Sequence, residues 1–128
     1  MRKFLCNFFL FVSIFGFTES SLPKPYNEVT LLPFYDPDEH PGRHDVRYKQ
    51  IFKDHKIETV IEVGSWLGNS ARIFAARIPE HGKIYAVDHW LGSIEQQSDP
   101  FLPHLYQQFL SNIIHSGYTN KVIPVKNV

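Results

Sequence analysis

The segment from Thr59 to Ser70, Thr-Val-Ile-Glu-Val-Gly-Ser-Trp-Leu-Gly-Asn-Ser, constrains this chain more than any other part of it. The first five residues are β-branched except Glu62, so they favour an extended strand. Gly64 permits the sharp turn with positive φ that a strand needs before reversing into a helix. Gly68 then lets that helix start close beneath a ligand, and the backbone N–H groups at such a start favour a carboxylate or phosphate. A strand, a tight glycine turn and a helix in this order are the opening unit of an α/β sheet.

The spacing of the glycines narrows the chemistry. A dinucleotide fingerprint needs Gly-x-Gly-x-x-Gly, but Trp66 stands at the middle glycine and the last glycine is missing. A phosphate loop needs Gly-Lys-Ser/Thr, which is also absent. Glu62, just before the turn, can accept from an ammonium group. Its alternative role is a surface acid at a strand end, which is disfavoured because Ile61 and Val63 read as buried. Asp88 lies 24 residues after Gly64, at the end of Lys83-Ile84-Tyr85-Ala86-Val87. An acid at the tip of the second strand sits where a ribose presents its hydroxyls; its alternative role is a turn cap. The site thus offers an ammonium acceptor, a backbone cradle for a carboxylate and a ribose acceptor. S-adenosylmethionine carries all three partners.

The rest of the chain falls around this unit. Arg43 to His55 reads as a helix lined by Val46, Tyr48, Ile51, Phe52 and His55. Asn69 to Arg77 is the helix after the turn, and Pro79 to Gly82 breaks the chain. Asp88 to Pro103 reads as a long loop. His104 to His115 is a helix whose Leu105, Phe109 and Ile113, flanked by Tyr106, Leu110 and Ile114, form a broad apolar face, and Gly117 ends it. Lys121 to Val125 is a third strand. Alternating helices and strands predict a Rossmann-like parallel sheet with flanking helices. The first two strands read as near-continuous apolar runs, the pattern of strands covered on both faces.

Residues 1–20 read as an export signal: Arg2 and Lys3 precede a largely apolar run from Phe4 to Phe17, too short to span a bilayer comfortably. Thr18 and Ser20 suit cleavage after Ser20, which makes the product secreted; without cleavage the run becomes a membrane anchor. Residues 21–42 hold five prolines between Pro23 and Pro41 and read as an extended arm. The domain itself covers 43–128. Thirteen basic and thirteen acidic residues cancel in the 128-residue chain, leaving no electrostatic footprint for nucleic acid. The single cysteine, Cys6, closes no internal disulfide. His40 and His44 lie among Asp36, Asp38, Glu39 and Asp45, but their spacing matches no ligand signature, so no metal site is expected.

Glu-x-Gly-x-x-x-Gly after one strand and Val87-Asp88 at the end of the next resemble class I S-adenosylmethionine-dependent methyltransferases. Two stretches are closer to a small-molecule O-methyltransferase-like branch: Glu62 to Ser70, which resembles Glu-Ile-Gly-Ser-x-x-Gly-x-Ser, and Asp88 to Ser93, which resembles Asp-x-Trp-x-Gly-Ser. The resemblance covers about residues 43–125. It implies that Glu62, Gly64, Ser65 and Gly68 hold the amino-acid end of S-adenosylmethionine, that Asp88 binds its ribose, and that His89 and Trp90 lie beside the adenine. For Trp90 the competing role is a ring plugging the sheet's edge, and the sequence leaves the two open.

The family's sheet has seven strands in the order three-two-one-four-five-seven-six. On this resemblance the chain supplies the first three and is truncated after the third, so no catalytic residue is expected in it. The implied activity is methyl transfer to a small-molecule oxygen or nitrogen, with the chain as a fragment. The alternatives are a non-catalytic remnant or nucleotide-binding module, and another nucleotide-binding Rossmann-like protein. The expected partners are the small-molecule acceptor and, through the exposed edge of the first strand, a second copy of the chain.

Overall fold

The computed structural model describes residues 21–37, 42–98 and 100–126. Residues 1–20, read above as an export signal, and His40 lie outside them, as does the side chain of His44. The elements are α1 (Gly42–Asp54), β1 (Thr59–Val63), α2 (Asn69–Ala75), β2 (Lys83–Asp88), α3 (Leu105–His115) and β3 (Val122–Lys126). Short 3-10 turns occupy Tyr26–Glu28, Ile94–Gln96 and Leu102–His104, so the long loop after β2 is partly ordered by local structure. No helix among the described residues is long and apolar enough to cross a membrane.

The three strands form one parallel sheet in the spatial order β1-β2-β3. Thr59 pairs with Lys83 and Val63 with Val87; Ile84 pairs with Val122 and Asp88 with Lys126. This is the predicted α/β, Rossmann-like arrangement. β1 has the bounds read from sequence, while α2 ends at Ala75 rather than Arg77, its last turn closing through the Arg77 and Ile78 amides on the Phe74 carbonyl.

Among the described residues the core lies on one face of the sheet. Ile84, Ala86 and Val122 are buried on that face, with Ala71 and Ala75 of α2 and Leu105, Phe109 and Ile113 of α3. The opposite face is bare: Ile61 is 71% exposed and Val63 81% exposed, and Tyr85 and Val125 are exposed beside them. The expectation that β1 is covered on both faces is therefore corrected. Its apolar run conceals an alternation, because side chains on successive residues point to opposite faces and only one carries helices. α1 does not cover the second face. Tyr48 and Phe52 pack on Phe74 of α2, with ring centroids 4.8 Å and 5.8 Å away, while Val46 and Ile51 remain exposed.

The outer edge of β1 is open among the described residues. The Lys83 amide donates to the Glu58 carbonyl and the Gly64 amide to the Val87 carbonyl. By the two-residue period of a strand, the backbone groups of Thr59, Ile61 and Val63 point away from β2.

The described part of the arm, residues 21–37, turns through a short 3-10 helix at Tyr26–Glu28 and is docked on the domain. Tyr26 is buried and its hydroxyl donates to the Val122 carbonyl at 2.8 Å, tying the arm to β3. Asp36 is buried and pairs with Arg72 of α2, whose guanidinium also lies over the Phe34 ring at 4.8 Å.

Candidate functional site

The carboxyl ends of β1 and β2 lie side by side, which brings the glycine turn and Asp88 together. Crevices at this edge are where parallel sheets bind ligands. Gly64 and Gly68 both adopt φ of +86°, so each turn position requires the left-handed region. They differ in surroundings. A Cβ on Gly64 would meet nothing within 4 Å, leaving open space above the turn. A Cβ on Gly68 would lie 3.1 Å from the Phe109 ring and 3.2 Å from Ile113, so Gly68 is small because α3 packs against it. The sequence reading assigned that role to ligand approach; the structure assigns it to the core.

Asp88 braces both loops. Its Oδ2 accepts from the Trp66 amide at 2.9 Å and its Oδ1 from the Trp90 amide at 2.8 Å. The turn-capping role weighed from sequence is thus filled, with the carboxylate still at the strand tip. Trp66 and Trp90 are the two described non-glycine residues with positive φ, at +47° and +51°. Such conformations persist where surroundings hold them. Here the Trp90 indole N–H donates to the Trp66 carbonyl at 3.0 Å, locking one loop to the other.

Trp90 itself is buried, with ring centroids of Tyr106 and Phe109 at 4.6 Å and 4.9 Å. Of its two candidate roles, the plugging ring is the one its packing matches. His89 is exposed, and its Nδ1 accepts from the Leu91 amide at 2.9 Å. That bond places the lone pair, not a proton, on Nδ1. Its 3.6 Å approach to Asp88 is therefore proximity rather than a hydrogen bond.

Glu62 lies on the covered face. One carboxylate oxygen, Oε1, accepts from the Ser70 hydroxyl. The other, Oε2, is buried with no hydrogen-bond partner within the protein, and so is the hydroxyl of Ser65. Burial pushes the Glu62 carboxyl above the ordinary carboxylate range, opposed by the Ser70 and Ser65 hydroxyls and reinforced by the nearby Asp88 charge. The Ser65 hydroxyl is near enough to the Glu62 carboxyl to favour its ionised form, yet neither atom makes a well-formed hydrogen bond, so a donor brought by a ligand would satisfy Glu62 Oε2. The turn amides offer less than the sequence suggested. The Trp66 amide is bonded to Asp88 and that of Gly68 to the Ser65 carbonyl, and α2 spans only seven residues.

One neighbour of the site was not legible in the sequence. Asn112 of α3 is fully buried and donates to the Leu67 carbonyl inside the turn at 2.9 Å. An asparagine in a helix interior carries no signal that its target is a loop 45 residues away.

No protein-family model matches the sequence, and no curated protein does. Among solved structures, the chain is similar to a Klebsiella pneumoniae protein provisionally described as an O-methyltransferase. The two share 16% identity at a TM-score of 0.50, over 76% of this chain. The match spans 37% of the length of that protein. At this identity the likeness carries the fold alone: an open parallel sheet with flanking helices.

Proposed function

We propose that residues 59–126 form the cofactor-holding half of an S-adenosylmethionine-dependent methyltransferase domain. The observation that carries this reading is the cluster at the carboxyl edge of the sheet. There Glu62 Oε2 and Ser65 Oγ are buried close to one another without a well-formed hydrogen bond, beside the turn at Gly64 and with Asp88 at the adjacent strand tip. This donor set fits the cofactor. Glu62 and Ser65 would take its ammonium group, and Asp88, with lone pairs left after its two backbone bonds, would accept from the ribose. When bound, the cofactor supplies an electrophilic methyl for in-line displacement. The residues of this chain would contribute binding and orientation, which count for much in such transfers. The acceptor, a small-molecule oxygen or nitrogen, rests on the motif resemblance alone, and export rests on the charge and apolar pattern of residues 1–20 alone.

The second reading is a non-catalytic remnant or nucleotide-binding module; the remnant is favoured by Asp88, whose two oxygens already brace the chain's own loops. Calorimetry on the full chain with S-adenosylmethionine, S-adenosylhomocysteine and NAD distinguishes the readings. The proposal expects saturable binding of both sulfur nucleosides. It also expects a loss on the order of tenfold in Glu62→Gln, since hydrogen bonds to charged groups are worth about 1.5–3 kcal/mol. Preferential NAD binding, or no binding of any of the three, would contradict it.

A further inference from the structure

Beside the packing of Tyr26, Val29 and Phe34, the hydrogen bonds that join α3 to the arm go to the arm's backbone. Gln107 donates to the Thr30 carbonyl at 2.7 Å, and the Leu32 amide donates to the Ser111 hydroxyl at 3.0 Å. Gln108 donates to the Pro33 carbonyl at 2.8 Å, and His115 Nε2 meets the Leu32 carbonyl at 2.8 Å. These residues recur at helical spacing and make one polar face of α3 into a backbone clamp. The clamp ends on Asn112. Its Oδ1 accepts from the Tyr35 amide at 3.1 Å and its Nδ2 donates to the Tyr35 carbonyl at 2.7 Å. The same amide group donates to the Leu67 carbonyl, and Gln108 fixes its Oδ1 from the side at 3.1 Å. One fully buried side chain therefore bonds both the arm and the glycine turn. A second tether runs in parallel, from Asp36 to Arg72 of the helix that follows the turn.

We infer that Asn112 is a positioning residue for the glycine turn and that the docked arm, residues 30–36, sets its position. Undocking the arm frees the Asn112 amide to rotate, and the Leu67 carbonyl then loses its fixed donor. Arm docking and turn geometry are two ends of one buried hydrogen-bond network, so each stabilises the other. The consequence for ligand affinity rests on the cofactor-binding reading above; the mechanical coupling does not.

The test releases the arm without touching the turn. Gln107→Ala with Ser111→Ala removes the contacts to the Thr30 carbonyl and the Leu32 amide, which loosens the arm and leaves Asn112 in place. In the full chain without ligand, the Trp66 and Gly68 amides are expected to exchange hydrogen several-fold faster than in the wild type, with β3 amides unchanged. Ser111→Thr, which keeps the hydroxyl, restores slow exchange. With S-adenosylhomocysteine as probe, the double variant binds about fivefold to tenfold more weakly, the scale of one or two lost hydrogen bonds. By reciprocity the probe slows exchange of the wild-type Tyr35 amide. Turn amides that exchange at the wild-type rate in the double variant overturn the inference whatever the ligand result. Faster turn exchange in the double variant, with a wild type that binds no nucleoside, upholds the coupling and sinks the cofactor reading.

Discussion

The two faces of the sheet carry similar side chains and have opposite fates. On one, Ile84, Ala86 and Val122 are sealed under α2 and α3. On the other, Ile61, Val63, Tyr85 and Val125 meet solvent. The composition of a strand does not decide which face is buried; the placement of the helices does. The site follows the same division. Glu62 and Asp88 sit on the covered face in register with Ala86 and Lys126, so the candidate chemistry grows out of the packed side, and the bare side contributes none of it.

The largest expected effect is on the covered face. Phe109→Ala opens a cavity beneath Gly68 and Trp90 and should cost about 3–5 kcal/mol in chemical denaturation. Val63→Ala on the bare face should change stability by less than about 0.5 kcal/mol. Equal costs would mean that the second face is covered in solution. Next is Gly68→Ala, where a left-handed φ and a 3.1 Å contact with Phe109 combine. It should destabilise by about 1–3 kcal/mol. Gly64→Ala, with open space around it, should suffer only the conformational part of that penalty.

A smaller effect concerns pH. The Glu62 carboxyl is raised by burial, so the folded state holds its proton more tightly than the unfolded chain does. The stability this contributes is full below the unfolded value of 4.5 and is lost as pH rises through the raised value. Glu62→Gln should therefore be more stable than the wild type at neutral pH, and the advantage should vanish below pH 4.5. Urea midpoints across that window check the sign. The smallest effect belongs to the open edge of β1. We expect the chain to self-associate weakly there, since Thr59, Ile61 and Val63 present outward backbone groups and apolar side chains. Ile61→Lys should shift sedimentation towards monomer while leaving the unfolding midpoint nearly unchanged. An unaltered distribution would remove the edge from the account.

Much of this was legible because the signals are local. The β-branched run of β1, the turn at Gly64 and the glycine that ends α3 each depend on a few adjacent residues, and each appears where it was read. Gly117 has φ of +73° and donates back to the Ile114 carbonyl, as a helix-ending glycine does. What stayed hidden depends on distant partners. The period of Val60 to Val63 shows that two faces exist and not which one receives helices. Trp90 reads equally well as a stacking platform or a plug until Tyr106 and Phe109 are placed around it. Gln107, Gln108, Ser111, Asn112 and His115 look like the solvated side of an amphipathic helix. They are the side that grips the arm, and because they grip its backbone, the arm's own residue types give no hint of it.

The central claim is that the turn at Gly64 and the strand tip at Asp88 hold a sulfur nucleoside. Amide hydrogen exchange on the full chain, with and without saturating S-adenosylhomocysteine, tests it most directly. The account predicts new protection confined to residues 64–68 and 88–91 and, through Asn112, at Tyr35. Protection elsewhere, or an exchange pattern that the nucleoside leaves untouched, would contradict it.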